Sequence, residues 1–205
     1  MSLVVTVFSQ QSLDAQTPKK PPIVIIPLVR LEKGEVVANV YKNVTLGLEL
    51  TPEQSLKLGD PELKGPQGAN PQLVTVAAWG ERSSLSARAG TVFYAEALAR
   101  SPESLHSTEG YMHGVIRANG NDGFEVIKGP GEGQFGGLTF SKSDFRKGSV
   151  YEAVLVKACD AYALVFIFTG ADAEAVDKLI SQTKLKLDSE KSGCHNKSDA
   201  SPLKN

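Results

Sequence analysis

The chain has few of the residues and patterns that carry chemistry in proteins. Its 205 residues include two cysteines, three histidines and one tryptophan. Two cysteines do not form the disulfide framework of a small secreted domain. The sequence has neither a Gly-x-Ser-x-Gly nucleophile elbow nor a His-Glu-x-x-His metal-binding helix. No catalytic or cofactor motif therefore stands out, and no cofactor is expected other than a metal ion.

Long apolar runs and an excess of one charge are missing as well. No run reaches the roughly 18 apolar residues that a membrane helix needs, so we expect no integral membrane segment. The net charge of −1 at pH 7 gives no strong field, so no nucleic-acid partner is expected. The length corresponds to one domain with tails and is sufficient to bury a core.

The two cysteines leave two interpretations open. Cys159 lies beside a predicted hairpin turn, and Cys194 lies in a polar tail. A bridge between them is one alternative, but we favour two unpaired thiols. A free Cys159 near a base such as His113 would be a candidate nucleophile, which keeps a small hydrolase or thiol enzyme as an alternative function.

The segment over residues 150–187 contains the clearest structural pattern. Residues 150–158 and 161–168 are apolar runs joined at Asp160, a good turn residue. The second run is apolar on both faces, which predicts a central strand covered on both sides. An amphipathic helix follows, with Thr169 or Asp172 as its cap, and residues 183–187 predict a last short strand.

The rest of the chain predicts more strands and one more helix. Strands are expected within residues 35–50, as a pair around Lys42 and Asn43, and at residues 73–79, 91–98, 124–128 and 137–145. Pro102, with Ser101 as cap, begins a predicted helix that ends near Ala118. Residues 53–72 are polar and rich in Gly and Pro, which favours a long surface loop.

This order of elements predicts an α+β fold with a central, mostly antiparallel sheet flanked by helices. We expect an N-terminal arm and linker over residues 1–34, a single domain over residues 35–187, and a disordered polar tail over residues 188–205. The arm begins with a short apolar run and has small residues before Gln16, like a truncated secretion signal. We therefore expect export to the periplasm or the medium, with a cytoplasmic protein as the alternative.

Several short motifs within residues 35–187 resemble PsbP-like domains. Tyr41, Asn43, Gly47 and Pro52 are spaced like the opening strand of that family. The C-terminal part is also similar, with a glycine pair before a strand, two tyrosine-containing strands and a helix ending in ISQTKLKL. One departure is that Glu53 follows the proline, where the family often has an aromatic residue.

The resemblance implies an α-β-α sandwich in which helices flank an antiparallel sheet. PsbP-like proteins include an extrinsic protein of photosystem II, a Ran-binding relative and many bacterial secreted proteins, and most of them bind or scaffold. No docking motif for the photosystem is present, so that role is not implied. Fold alone does not assign function.

One glycine-rich segment is a candidate binding site. The residues that match a Gly-x-Gly-x-x-Gly pattern are Gly131, Glu132, Gly133, Gln134, Phe135 and Gly136. An alternating strand follows them instead of a helix, so no helix N-terminus is available for a pyrophosphate. We expect a flexible hairpin loop, with a binding lip as the alternative.

Two further candidates are a lone tryptophan and a group of three residues on the predicted first helix. Trp79, at a strand end, is either a core residue or an exposed aromatic for binding. His106, Glu109 and His113 share a polar stripe of the predicted first helix and are candidate metal ligands. The two histidines are about 10.5 Å apart along the helix axis, so a solvated helix face is the alternative.

The sequence as a whole predicts an exported, non-catalytic domain that binds a small molecule or a protein partner. Its binding surface would include residues 53–72 and the glycine-rich segment. The competing functions are an enzyme that uses Cys159 or His113, and a metal-binding protein that uses His106, Glu109 and His113.

Overall fold

The computed structural model describes residues 30–65, 72–80, 89–98 and 105–195. Most of the predicted N-terminal arm, Ser101, Pro102 and residues 196–205 lie outside this part of the chain. The described elements are β1 (Glu35–Val37), β2 (Val40–Asn43), β3 (Leu48–Thr51), β4 (Lys57–Leu58), β5 (Glu62–Lys64), β6 (Leu73–Trp79), β7 (Gly90–Ala97), α1 (Thr108–Asn121), β8 (Glu125–Phe135), β9 (Leu138–Lys147), β10 (Val150–Ala158), β11 (Tyr162–Gly170), α2 (Ala173–Gln182), β12 (Lys184–Leu187) and α3 (Ser189–Ser192).

The strands form two antiparallel sheets, so the predicted α+β class is confirmed. The large sheet has the order β4-β6-β7-β11-β10-β9-β8, with β5 also paired to β6, and the small sheet has the order β1-β2-β3-β12. Helices lie on both faces of the large sheet, with α1 on one face and α2 on the other. No described helix is long and apolar enough to span a membrane.

Strands β10 and β11 form the predicted hairpin at the centre of the large sheet. Leu155 pairs with Phe166, and the Cys159 N–H donates to the Tyr162 carbonyl across the turn at 2.8 Å. Because side chains alternate along a strand, β11 sends aromatic and leucine side chains to one face and smaller aliphatic ones to the other. Its described residues from Tyr162 to Phe166 are all buried, which confirms a strand covered on both sides.

The two faces of the hairpin belong to two separate cores. The first core lies between the large sheet and the small sheet with α2, and it contains packed phenylalanine rings: Phe93, Phe135, Phe140, Phe166 and Phe168. The second core lies under α1 and includes Tyr111, Met112, Phe145, Val154 and Val165. Both helices therefore bury an apolar face, as their spacing predicts.

The turn predicted at Lys42 and Asn43 is wrong, because Lys42 and Asn43 lie inside β2. The turn between β2 and β3 follows at residues 44–47. An earlier hairpin turn, between β1 and β2, is at Ala38 and Asn39, which have φ angles of 50° and 61°. A two-residue turn with both φ angles positive matches the twist of paired strands. The Asn39 side chain also binds the backbone of Leu56 and Leu58, at 2.9 and 2.8 Å, and these contacts fix a turn that the local sequence does not indicate.

Residues 53–65 are more ordered than the predicted surface loop. They contain β4 and β5, and both strands pair with the outer edge of β6. The Gly59 N–H donates to the Ala77 carbonyl at 2.9 Å between them. Polar residues with glycine and proline can form short edge strands, since one side of an edge strand faces solvent.

The glycine-rich segment is also a strand and not the predicted flexible loop. Residues 129–135 lie in β8, which pairs with β9 through two register shifts. The turn comes later, at Gly136 and Gly137, whose φ angles are 58° and 78°. Glycine and proline are tolerated here because β8 is an edge strand with bulges.

Helix α1 begins later than predicted. Residues 105–107 are not α-helical, and the Gly110 N–H donates to Ser107 Oγ at 3.0 Å, so Ser107 is the N-cap. One face of this part of the chain is apolar, because Met112 is buried and Leu105, Val115 and Ile116 pack against the second core. Helix α2 is capped by Asp172, one of the two predicted caps.

The predicted disordered tail is wrong for residues 188–195. Asp188 caps α3, and Cys194 is fully buried in a disulfide with Cys159, with the two Cα atoms 4.6 Å apart. The expectation of two unpaired thiols is therefore wrong as well. A bridged sulfur is not a thiolate, so Cys159 does not supply the nucleophile of the thiol-enzyme alternative.

The disulfide closes a loop with a sequence separation of 35 residues. Removing it restores entropy to the unfolded chain, so the Cys159→Ala, Cys194→Ala double variant should lose about 3–4 kcal/mol of unfolding free energy. Urea titrations of the oxidised wild type and the double variant measure this loss. Dithiothreitol should lower the wild-type midpoint and leave that of the double variant unchanged. A wild-type midpoint that does not respond to the reductant would contradict the bridge.

Candidate functional site

The face of the large sheet on which α1 packs, which we call the outer face, is covered unevenly. Helix α1 packs over β8, β9 and β10, whereas outward side chains of β6 and β7 are only half-buried. We call five outward residues of β6, β7 and β11 the apolar strip: Ala77, Trp79, Val92, Tyr94 and Ile167. Such a partly exposed apolar surface beside polar groups is typical of a binding site.

Strand register makes the apolar strip continuous. Val92 pairs with Ala77 on one side and with Ile167 on the other. Directly paired residues of an antiparallel sheet place their side chains on the same face, within contact distance. Tyr94 and Ile167 also pack against the second core, so the apolar strip extends that core outward from beneath α1.

Trp79 lies at the end of the apolar strip where β6 ends. Its register partner on β7 is Gly90. A Cβ atom added at Gly90 would be 2.1 Å from Trp79 Cε3, so the indole lies against the bare backbone of β7. Of the two predicted roles for Trp79, the structure places the side chain on the half-buried outer face and outside both cores.

Tyrosines and a carboxylate border the apolar strip where it meets α1. The Tyr111 hydroxyl donates to Glu96 Oε2 at 2.5 Å. Burial raises the pKa of Tyr94 to about 12, against a smaller lowering by its hydrogen bond to Tyr111. Burial also raises the pKa of Tyr111, and the negative charge of Glu96 adds to that rise. Both hydroxyls therefore stay protonated at neutral pH and act as hydrogen-bonding groups and not as bases.

A second half-buried carboxylate lies under the other end of α1. Glu152 projects from β10 toward the helix, and Asn119 Nδ2 donates to Glu152 Oε1 at 3.1 Å. Burial raises the pKa of Glu152, and this hydrogen bond partly offsets the rise. Perturbed ionisable groups are more frequent at functional sites than elsewhere. The two clusters place hydrogen-bonding groups beside an apolar surface, which together can hold an amphiphilic ligand.

The sequence analysis did not single out Tyr94, Glu96, Tyr111 or Glu152. The available indication was a single acidic residue inside an otherwise apolar strand, as at Glu96 and Glu152. An outward carboxylate in a central strand must meet solvent or a hydrogen-bond donor. Which of the two applies depends on where α1 crosses the sheet, and the sequence does not show that.

The residues of the predicted glycine-rich site lie on the edge strand β8. Gly131, Glu132 and Gln134 are exposed on β8, and Gln134 Nε2 donates to Thr139 Oγ1 of β9 at 2.9 Å. Gly133 leaves room for the side chain of Lys142, because a Cβ atom there would be 3.0 Å from Lys142 Cβ. Phe135 is buried in the first core. These residues maintain the β8–β9 pairing.

The predicted metal ligands do not converge on one point. His106 Nε2 lies 3.0 Å from the Leu98 carbonyl oxygen, and His113 Nε2 lies 3.9 Å from Glu109 Oε1. Within the described ranges, no three His, Cys, Asp or Glu side chains are close enough to hold a metal ion. His113 is exposed on α1, whereas Cys159 is in the first core on the opposite face of the sheet.

A shallow cavity of about 370 Å³ lies on the outer side of the small sheet. Its lining includes Lys42, Glu49, Lys186, Asp188 and Lys191. Glu49 lies between two ammonium groups, 3.6 Å from Lys42 Nζ and 3.5 Å from Lys186 Nζ. Lys191 is similarly 3.7 Å from Asp188. Since opposite charges pair across its walls, the cavity is a weaker candidate than the apolar strip.

Comparison with known proteins identifies no family for the chain. No protein-family model matches it, and neither curated proteins nor solved structures give a significant match. The candidate site therefore depends on the geometry of the molecule.

The raised pKa of Glu152 predicts a pH-dependent stability. The unfolded chain ionises near the ordinary value of 4.5, whereas the folded protein holds the proton to higher pH. Unfolding free energy should therefore fall as pH rises from about 4.5 through the folded-state pKa. Glu152→Gln cannot ionise and can still accept the bond from Asn119, so its stability should increase relative to wild type across that window.

Urea midpoints of both proteins, measured at several pH values from below 4.5 to 7, test this prediction. The matched control is Glu132→Gln, which changes an exposed carboxylate on β8. A difference between Glu152→Gln and wild type that stays constant with pH would be the contrary result.

Proposed function

We propose that the chain is a non-catalytic binding domain and that the apolar strip is its ligand-contacting surface. The observation that carries this proposal is the half-buried row Ala77, Val92 and Ile167, with Trp79 and Tyr94 beside it. Sheet surfaces of this kind are normally either covered by their own helix or used for contact with a partner. A ligand with an apolar body and one polar group matches the apolar strip and its bordering hydroxyls.

A PsbP-like relationship remains part of this proposal. The residues that carry the resemblance have structural roles: Asn43 Nδ2 donates to the Tyr41 hydroxyl at 2.9 Å, and the Leu46 N–H donates to Asn43 Oδ1 at 3.0 Å. Gly47 follows with a φ of 58°. These contacts support a shared fold in this region, and they do not involve the apolar strip. The proposed ligand therefore follows from the strip and not from the resemblance.

We also propose that the protein is exported to the periplasm or the medium. The disulfide between Cys159 and Cys194 supports this location, because structural disulfides persist in oxidising compartments and are rare in the cytosol. The weak resemblance of the N-terminal residues to a secretion signal is consistent with it. A small-molecule ligand or a protein partner would then be met outside the cytoplasm.

Trp79 provides a direct test of the apolar strip because it is the only tryptophan in the chain. N-Phenyl-1-naphthylamine is a suitable amphiphilic probe, since it accepts excitation energy from indole. We expect Trp79 emission to decrease and probe emission to rise as the probe binds. Val92→Thr replaces one methyl group of the apolar strip by a hydroxyl and should weaken binding by about tenfold, which corresponds to about 1.4 kcal/mol.

The matched control is Val44→Thr, the same change at a valine that is 76% exposed in the turn between β2 and β3. This variant should bind the probe like wild type. Equal weakening by both changes would remove the apolar strip as the binding surface. Absence of energy transfer in the wild-type protein would count against the proposed function as a whole.

A further inference from the structure

The opposite end of the large sheet has an unprotected strand edge. Strand β8 is the last in the order, and among the described strands it pairs only with β9. Eight successive residues from its start at Glu125 are exposed. A long exposed edge offers unpaired backbone N–H and C=O groups to another strand, and proteins usually block such edges.

Glycine and proline block only the second half of β8, although both halves contain a register shift. Gly129, Pro130 and Gly131 lie where the pairing with β9 shifts register, and bulges and proline are common means of preventing edge pairing. The first half, Glu125 to Lys128, has no glycine or proline. It carries two of the few large exposed apolar side chains of the described residues, Val126 at 45% and Ile127 at 50% exposure.

A bulge leaves one of these side chains without a neighbour in its own sheet. Val126 pairs with Phe145 and Lys128 pairs with Asp144, so Ile127 has no opposite residue on β9. Cross-strand neighbours contribute to strand stability. Ile127 is thus an exposed β-branched residue beside the open edge, where an added strand would cover it.

The sequence of this half-strand is complementary to itself when two copies run antiparallel. With a twofold axis between Val126 and Ile127, Glu125 of one copy lies opposite Lys128 of the other, and Val126 lies opposite Ile127. Both charge pairs are favourable and both central pairs are apolar. A twofold interface requires this self-complementarity. We propose that two copies of this chain associate through residues 125–128 of β8, which continues the large sheet from one copy to the other.

This arrangement also brings the two α1 helices together. Helix α1 packs on β8, and a twofold axis perpendicular to the sheet places both helices on the same face. The apolar strip is at the other end of the sheet, so each copy keeps its own strip accessible. Four paired residues per strand bury less than a stable interface of about 1,000 Å², so we expect a dimer that forms only at high protein concentration.

Charge exchange within β8 tests both the contact and its register. Glu125→Lys and Lys128→Glu each create two like-charge pairs across the twofold axis. Each single variant should weaken dimerisation by about tenfold. The double variant Glu125→Lys, Lys128→Glu restores opposite charges across the axis, so it should dimerise like wild type. Sedimentation velocity over a wide range of protein concentration at low salt measures these dissociation constants.

The double variant separates association from effects inside one chain. Within a chain, Glu125 lies opposite Arg146 and Lys128 lies opposite Asp144. The exchange makes both of these pairs unfavourable, so recovery of dimerisation can come only from the contact between copies. Glu132→Lys, an exposed carboxylate change beyond the register shifts, should leave the dissociation constant unchanged.

Ile127→Thr is a second variant that changes no charge and replaces an exposed side chain. It should also weaken the dimer, whatever the folding yield of the charge variants. A wild-type protein that sediments as a monomer at every concentration would overturn the proposal. Dimerisation that survives Ile127→Thr, or that the charge-exchanged double variant fails to recover, would overturn it equally.

Discussion

The burial of β10 and β11 on both faces is the constraint on which the rest of the structure depends. Phe166 lies at the middle of this pair, and its ring is 5.0 Å from the ring of Phe93, 4.9 Å from that of Phe135 and 5.7 Å from that of Phe140. These partners come from three other strands. An apolar hairpin of this kind cannot be left in water on either side, so the chain must provide two covering layers.

The two layers are built differently, and this difference creates the candidate site. On one face, the small sheet and α2 close a large core, and the Cys159–Cys194 bridge ties the C-terminal segment to it. On the other face, α1 of 14 residues crosses only part of a broad sheet. One helix is too narrow to cover every strand, since a helix with its side chains is about 10–12 Å wide. The apolar strip is the part of the sheet beside α1 that stays half-exposed.

Strong periodicity made part of this fold predictable from the sequence. The apolar runs of β10, β11, β6 and β7 and the spacing of α2 predict those elements because each must bury a defined face. Edge elements were less predictable, since solvent covers one of their sides: β4 and β5 are short and charged, and β8 contains glycine and proline. Local sequence also does not show the turn at Ala38 and Asn39, which depends on contacts with residues 56–58.

The candidate site was missed, and the disulfide was not the favoured alternative, for a related reason. The pairing of Cys159 with Cys194 requires the placement of α2, β12 and α3 between them. The Tyr111–Glu96 bond likewise joins a helix to a strand that precedes it in the chain. Contacts between distant segments are set by tertiary packing, and the residue pattern within one element does not contain them. Of the proposed site residues, Trp79 alone was singled out from sequence.

Amide hydrogen exchange measured along the chain tests most directly whether the β10–β11 pair is the centre of the fold. Amides that open only when the whole domain unfolds exchange last. The amides of β10 and β11 should therefore exchange most slowly, together with their partners in β7 and β9. Those of β1, β4 and β5 should exchange faster. Earlier exchange in β10 and β11 than in the small sheet would contradict a fold organised around this hairpin.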